Sequence, residues 1–204
     1  MNLFNKLFAS ILSTFVFSSS VLAQHALIDR MRPSSSSIFV TQAIEGEYGS
    51  FKKKSGAEPN LAKNSWRGYG VRSGVGLEVM KFTQFSLSHT MLSLRSHDSS
   101  LENIRGSRLA ADVSFTFSAP LANIQFGLGA TAAQLDYQNS DQSSSLLGSG
   151  YYQTMGFNYF VSSSLSIQVI GKRLMSHYSS SSGSALDALD TTTDNLSLGF
   201  SLWM

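Results

Sequence analysis

The chain has 204 residues, of which 42% are hydrophobic and only 14% charged, with a formal net charge of +2. That length suits one domain or two small ones, and the lack of cysteine excludes disulfides, zinc-thiolate sites and a lipidated cysteine. A mean hydropathy of zero fits neither a bundle of membrane helices nor a disordered chain.

The first stretch, "MNLFNKLFASILSTFVFSSSVLAQ", places Lys6 in a short polar head, an apolar run from Leu7 to Leu22, and small residues suited to cleavage after Ala23. Residues 1–23 therefore read as a secretory signal peptide. A membrane helix needs about 20 continuous apolar residues, whereas Ser13, Ser18, Ser19 and Ser20 interrupt this run. Residues 24–36, with His25, read as a flexible amino-terminal segment, and 37–204 as the folded body. After Ala23 no window of 18 apolar residues remains, so an exported chain of this kind is soluble or enters a membrane as strands.

Periodicity favours strands. In "WRGYGVRSGVGLEVM" Tyr69, Val71, Val75, Leu77 and Val79 share one parity, while Gly70, Arg72, Gly74, Gly76 and Glu78 share the other. The pattern recurs with Leu109, Ala111, Val113, Phe115 and Phe117, and again with Ile124, Phe126, Leu128, Ala130 and Ala132. Less regular versions cover 37–51, 83–94, 150–160, 165–175 and 195–204, which predicts eight strands. Short links alternate with the polar stretches "KKKSGAEPNLAKNS", "RSHDSSLENIRGS", "QNSDQSSSLLGS" and "SHYSSSSGSALDALDTTTD". The expected fold is all-β: a closed eight-stranded antiparallel transmembrane β-barrel with short periplasmic turns and long extracellular loops, in the bacterial outer membrane. A soluble lipocalin-type barrel would reverse the pattern, with its apolar parity inward and its charge outward.

The inward parity carries Glu45, Glu47, Arg72, Glu78, Asp112 and Lys172, a lumen charge cluster expected to form a paired plug; a narrow pore is the lesser alternative. Lys52, Lys53, Lys54, Lys63, Arg67, Arg95, Arg105, Arg108 and Arg173 are expected near the long-loop rim, as a solvated collar or as partners for lipopolysaccharide phosphates. His89 shares the lipid-facing parity of Phe85, Leu87 and Met91, where a polar group is costly; either the register slips or a neutral imidazole is tolerated. No cofactor, metal site or nucleic-acid partner is expected.

The strand "NIQFGLGA", the hairpin "YYQTMGFNYFVSSSLSIQV" and the closing "DNLSLGFSLWM" resemble the small outer-membrane barrels related to the OmpA transmembrane domain and OmpX. The resemblance implies a monomer that contacts outer-membrane lipids and lipopolysaccharide and is inserted by the outer-membrane assembly machinery. It further implies a non-enzymatic role in envelope integrity or surface interaction, with a possible extracellular ligand. The closing strand is similar to the signal that this machinery reads, with Met204 where an aromatic residue is usual. One alternative is catalytic: His177 and Ser179 in "SHYSS", with Asp194, resemble the His-x-Ser and later acid of PagL-type lipid A 3-O-deacylases. Two departures are that Ser180 stands where that family usually has Asn, and that Asp194 replaces its usual Glu.

Overall fold

The computed structural model describes residues 36–54, 63–79, 82–97, 102–118, 122–139, 142–183 and 188–204; the expected signal peptide and His25 lie outside them. The eight strands are β1 (Ser36–Lys54), β2 (Lys63–Val79), β3 (Thr83–Ser96), β4 (Asn103–Ser118), β5 (Ala122–Asn139), β6 (Gln142–Phe160), β7 (Leu165–Gly183) and β8 (Ala188–Trp203). Each pairs antiparallel with its chain neighbours, and β8 closes the barrel on β1. Pairing continues to Met204, whose N–H donates to Ile38 O at 2.8 Å while Ile38 N–H donates to Met204 O at 3.2 Å. Closure removes the sheet edge that would leave unpaired backbone groups in lipid at a cost of several kcal/mol each.

The strands run further than their apolar alternation. β7 continues to Gly183 and β8 begins at Ala188, so most of "SHYSSSSGSALDALDTTTD" is strand rather than loop, and most of "QNSDQSSSLLGS" likewise. The physical reason lies inside the barrel. Leu146, Tyr178 and Leu189 punctuate these polar stretches at inward positions and are fully buried, so the ladder extends above the apolar belt.

Outward positions carry the belt. Ile44, Val71, Leu87, Leu109, Leu128 and Leu198, from six strands, are each more than half exposed, a surface that only lipid solvates well. Tyr48, Tyr69 and Tyr151 stand exposed toward its outer end, and Phe82, Phe85, Phe117 and Tyr159 toward its periplasmic end, the flanking aromatic girdles of a membrane barrel.

The pairing register also fixes the tilt. A row perpendicular to the strands leaves β1 at Phe39, passes Gly76, Ser86, Asp112, Gly129, Tyr152, Leu174 and Thr193, and returns at Gly49, ten residues further along. A stagger of this size on eight strands tilts them by roughly 40°. Such rows climb toward the outer end in chain order.

The interior has three layers. At the periplasmic end Trp203 packs on Phe39 and Phe160, with ring centroids 4.7 and 5.4 Å apart, and its Nε1–H donates to Ser166 Oγ at 2.9 Å. The middle layer is ionic. Glu45 faces Arg72 at 3.2 Å and Lys172 at 3.5 Å, and Asp112 accepts from Ser86 and Tyr152 at 2.7 and 2.8 Å; Glu78, lower down beside the periplasmic turn, accepts from Gln84 at 2.7 Å. Glu47 receives both terminal nitrogens of Arg108, at 3.0 and 3.2 Å. Arg108 is therefore not a rim residue as expected: even-numbered positions of β4 point inward, and the Glu47 carboxylate across the lumen holds it there. Above this layer Phe51, Trp66, Leu94, Leu135, Tyr178 and Leu189 belong to one buried apolar cluster. The cavity among Arg72, Asp112, Lys172 and Gln84 holds only about 30 Å³, so side chains fill the lumen.

Candidate active site

At the outer end of β7, outward-facing residues alternate with inward ones, so His177 and Ser179 share the outer wall while Tyr178 between them is buried in the apolar cluster. On β8 the same alternation sets Asp190 outward beside buried Leu189. The β7–β8 register pairs His177 with Asp190 directly. Asp190 Oδ1 lies 2.5 Å from His177 Nδ1, and Ser179 Oγ lies 3.5 Å from His177 Nε2. Asp190 thus fixes the tautomer with the proton on Nδ1, which leaves the Nε2 lone pair facing the serine hydroxyl. A serine, a base and an orienting carboxylate stand in sequence, the arrangement that activates a hydroxyl as a nucleophile.

The carboxylate that meets His177 is not Asp194, the one expected there. Asp194 does face outward, but it sits four residues from Asp190 along β8, and its carboxylate pairs with Arg173 Nε at 3.6 Å. The apolar alternation predicts a last strand that begins at Asn195, with Asp190 in a loop, whereas β8 begins at Ala188. The available signal was the alternation of Leu189, Thr191 and Thr193 with Asp190, Thr192 and Asp194, which extends the strand by a full seven residues.

A β-bulge follows the serine. Leu146 pairs with Ser180 and Ser145 with Ser182, leaving Ser181 as the extra residue, with its Oγ donating to Ser145 O at 3.0 Å. Bulges of this kind concentrate beside active sites because they re-aim side chains. Among the described residues no group of His, Asp and Glu is placed to hold a metal ion.

No protein-family model matches the chain, and no curated protein matches it. Solved structures do. Neisserial surface protein A has a TM-score of 0.56 at 13% identity, covering 80% of this chain and 96% of its own. OprG from Pseudomonas aeruginosa gives 0.53 at 9%, covering 82% and 95%. AlkL, solved in lipid bilayers, gives 0.51 at 7%, covering 85% and 92%. The fold is that of a small outer-membrane β-barrel.

In an outer-membrane barrel the tyrosine ring marks the interface between acyl chains and headgroups. Tyr151 is the cross-strand partner of Met175, two residues below His177, and Tyr48 is the partner of Asp194, four residues below Asp190. His177, Ser179 and Asp190 therefore sit just above that ring, on the face open to the membrane.

Several rim cations stand at the same end of the barrel. Lys52 is exposed, and its cross-strand partner is Asp190. Arg67 and Arg95 are exposed cross-strand partners of each other, and Arg105 is exposed on β4. Lys53, Lys54 and Lys63 belong to strands, but their side chains lie outside the described residues. Arg173 is on the outer wall with Asp194, below the site. His89 also keeps its outward place with no register slip. Its partner Ser73 donates to Gln42 Oε1 at 2.8 Å, so the imidazole has polar company on the outer wall.

Below the site the belt is indented. A groove of about 590 Å³ on the outer wall is lined by Val113, Phe115, Phe126, Leu128, Met155 and Gly171, with Gln153, Arg173 and Asp194 at its outer edge.

Proposed function

We propose that this chain is an ester hydrolase of the outer membrane that removes a fatty acyl chain from a lipid in the outer leaflet, as the PagL-type lipid A 3-O-deacylases it resembles do. The observation that carries the reading is His177 held between Asp190 and Ser179, outward-facing, at the level where membrane lipids keep their ester bonds. Ser179 Oγ attacks the ester carbonyl as His177 Nε2 takes its proton. Asp190 stabilises the imidazolium that forms. Collapse of the tetrahedral intermediate expels the lipid hydroxyl, which receives the proton from His177. Water, deprotonated by the same histidine, then attacks the acyl-serine and releases the fatty acid. The 3.5 Å serine-histidine distance is ordinary for a site without substrate, since such contacts tighten on binding.

The exposed Lys52, Arg67, Arg95 and Arg105 at the outer end of the barrel support an anionic lipid as substrate, lipopolysaccharide foremost, because gathered cations attract phosphates. The test is mass spectrometry of lipid A incubated with the protein in detergent or lipid: loss of one acyl chain is expected, and its disappearance in Ser179→Ala. An unchanged lipid A mass with wild-type protein would sink the enzyme reading. It would leave the non-enzymatic role, surface interaction through the outer rim, as the better account.

A further inference from the structure

We propose that the outer wall of β1–β3 is the interface through which two copies of this chain pair side by side in the membrane. A polar stripe in the middle of the lipid belt carries the inference. Gln42, Ser73 and His89 are successive cross-strand partners on β1, β2 and β3, all on the outward parity, and Ser73 Oγ donates to Gln42 Oε1 at 2.8 Å. Each interrupts its strand's apolar run: Gln42 stands between Val40 and Ile44, Ser73 between Val71 and Val75, and His89 between Leu87 and Met91, and all six of these neighbours are exposed. At the same height β4, β5 and β8 present Ala111, Leu128 and Leu198.

Lipid tails cannot complete these groups. The Ser73 hydroxyl satisfies the Gln42 oxygen, which leaves the Nε2 donors of Gln42 and the imidazole of His89 without a hydrogen-bond partner among the described residues. An unmet donor or acceptor in hydrocarbon is costly, and polar side chains at this depth pair with one another across protein interfaces.

Depth and hydrogen-bond chemistry together select the partner. All copies enter the membrane with the same end outward, so a pair is related by a two-fold axis along the membrane normal and each residue meets the other copy at its own depth. A wall with polar groups at mid-belt needs a partner with polar groups at mid-belt, and a second copy carries them. An axis through Ser73 sets Gln42 of each copy opposite His89 of the other. The amide supplies donors, and a neutral imidazole supplies an acceptor nitrogen as well as an N–H. The six apolar neighbours pack around these contacts. A monomer, which the OmpA-type resemblance implies, would leave the stripe in lipid. His177, Ser179 and Asp190 lie on β7 and β8, outside this wall, so the inference stands independently of the ester-hydrolase reading.

The experiment exploits the absence of cysteine from the chain. The full barrel carrying Ser73→Cys is reconstituted in phosphatidylcholine vesicles and oxidised with copper phenanthroline, beside Leu128→Cys on the far wall. Ser73→Cys should yield a covalent dimer and Leu128→Cys should not. Energy transfer between amine-labelled copies, read over a range of protein-to-lipid ratios, gives the association constant. Gln42→Leu combined with His89→Leu should weaken it about tenfold, with the urea midpoint reporting that the variant is folded. Monomers at every protein-to-lipid ratio, equal crosslinking at both positions, or undiminished association of a folded leucine variant overturns the interface. So does a crosslink in native outer membranes that joins Ser73→Cys to another polypeptide and never to itself.

Discussion

Asp190 and His177 are cross-strand partners on β8 and β7, and their side chains meet at 2.5 Å, whereas Asp194, four residues further along β8, is engaged by Arg173. Register alone makes this choice. In the proposed site, Asp190→Asn should therefore lower acyl release from lipid A by about 10²–10⁴-fold, and His177→Ala should do at least as much. Asp194→Asn should retain most of the activity. A larger loss at Asp194 than at Asp190, measured by the same mass assay, would reverse the assignment of the acid.

The site rests on an aromatic side chain behind it. A Cβ added at Gly148 would approach the Tyr178 ring to 2.3 Å and His177 O to 2.3 Å. Gly148→Ala should thus displace Tyr178 from the buried cluster, cost about 1–3 kcal/mol of stability, and reduce hydrolysis although it touches no reacting atom. Urea unfolding in detergent beside the ester assay checks both; an unchanged midpoint with unchanged rate would show that Tyr178 does not support the site.

Arg108 neutralises Glu47 deep in the lumen, with Asn195 Nδ2 donating to the same carboxylate at 3.4 Å. Removing one partner strands a buried charge, so Arg108→Ala should destabilise the barrel by about 3–5 kcal/mol. Replacing both Arg108 and Glu47 with leucine should recover most of that loss. The comparison is made on unfolding midpoints, and equal destabilisation by the single and double variants would contradict it.

A lumen blocked by the Trp203 layer, the ionic layer and the apolar cluster should not conduct. Planar-bilayer recordings should show no stable unitary steps. A reproducible unit conductance would mean that the ionic layer opens, and Glu45→Gln should then alter it.

The sequence by itself determined the architecture, because period-two alternation has one stable outcome when an outward apolar parity recurs in eight segments: strands whose edges must meet. The same parity assigned Glu45, Glu47, Arg72, Glu78, Asp112 and Lys172 to the interior, where all six point inward in the barrel. His177 and Ser179 were legible as a pair, since two residues on one strand face the same way.

Their carboxylate was not legible, because the partner of a strand residue depends on cross-strand register, which is settled by pairing along the whole ladder. Four residues along β8 decide whether a carboxylate meets His177, as Asp190 does, or Arg173, as Asp194 does. The inward parity of Arg108, the same as that of Asp112, is legible in the sequence; its counter-charge is not, since Glu47 lies 61 residues away and meets it only across the closed lumen. Only closure, stagger and tilt together bring such residues into contact, and these are properties of the assembled sheet rather than of any one strand.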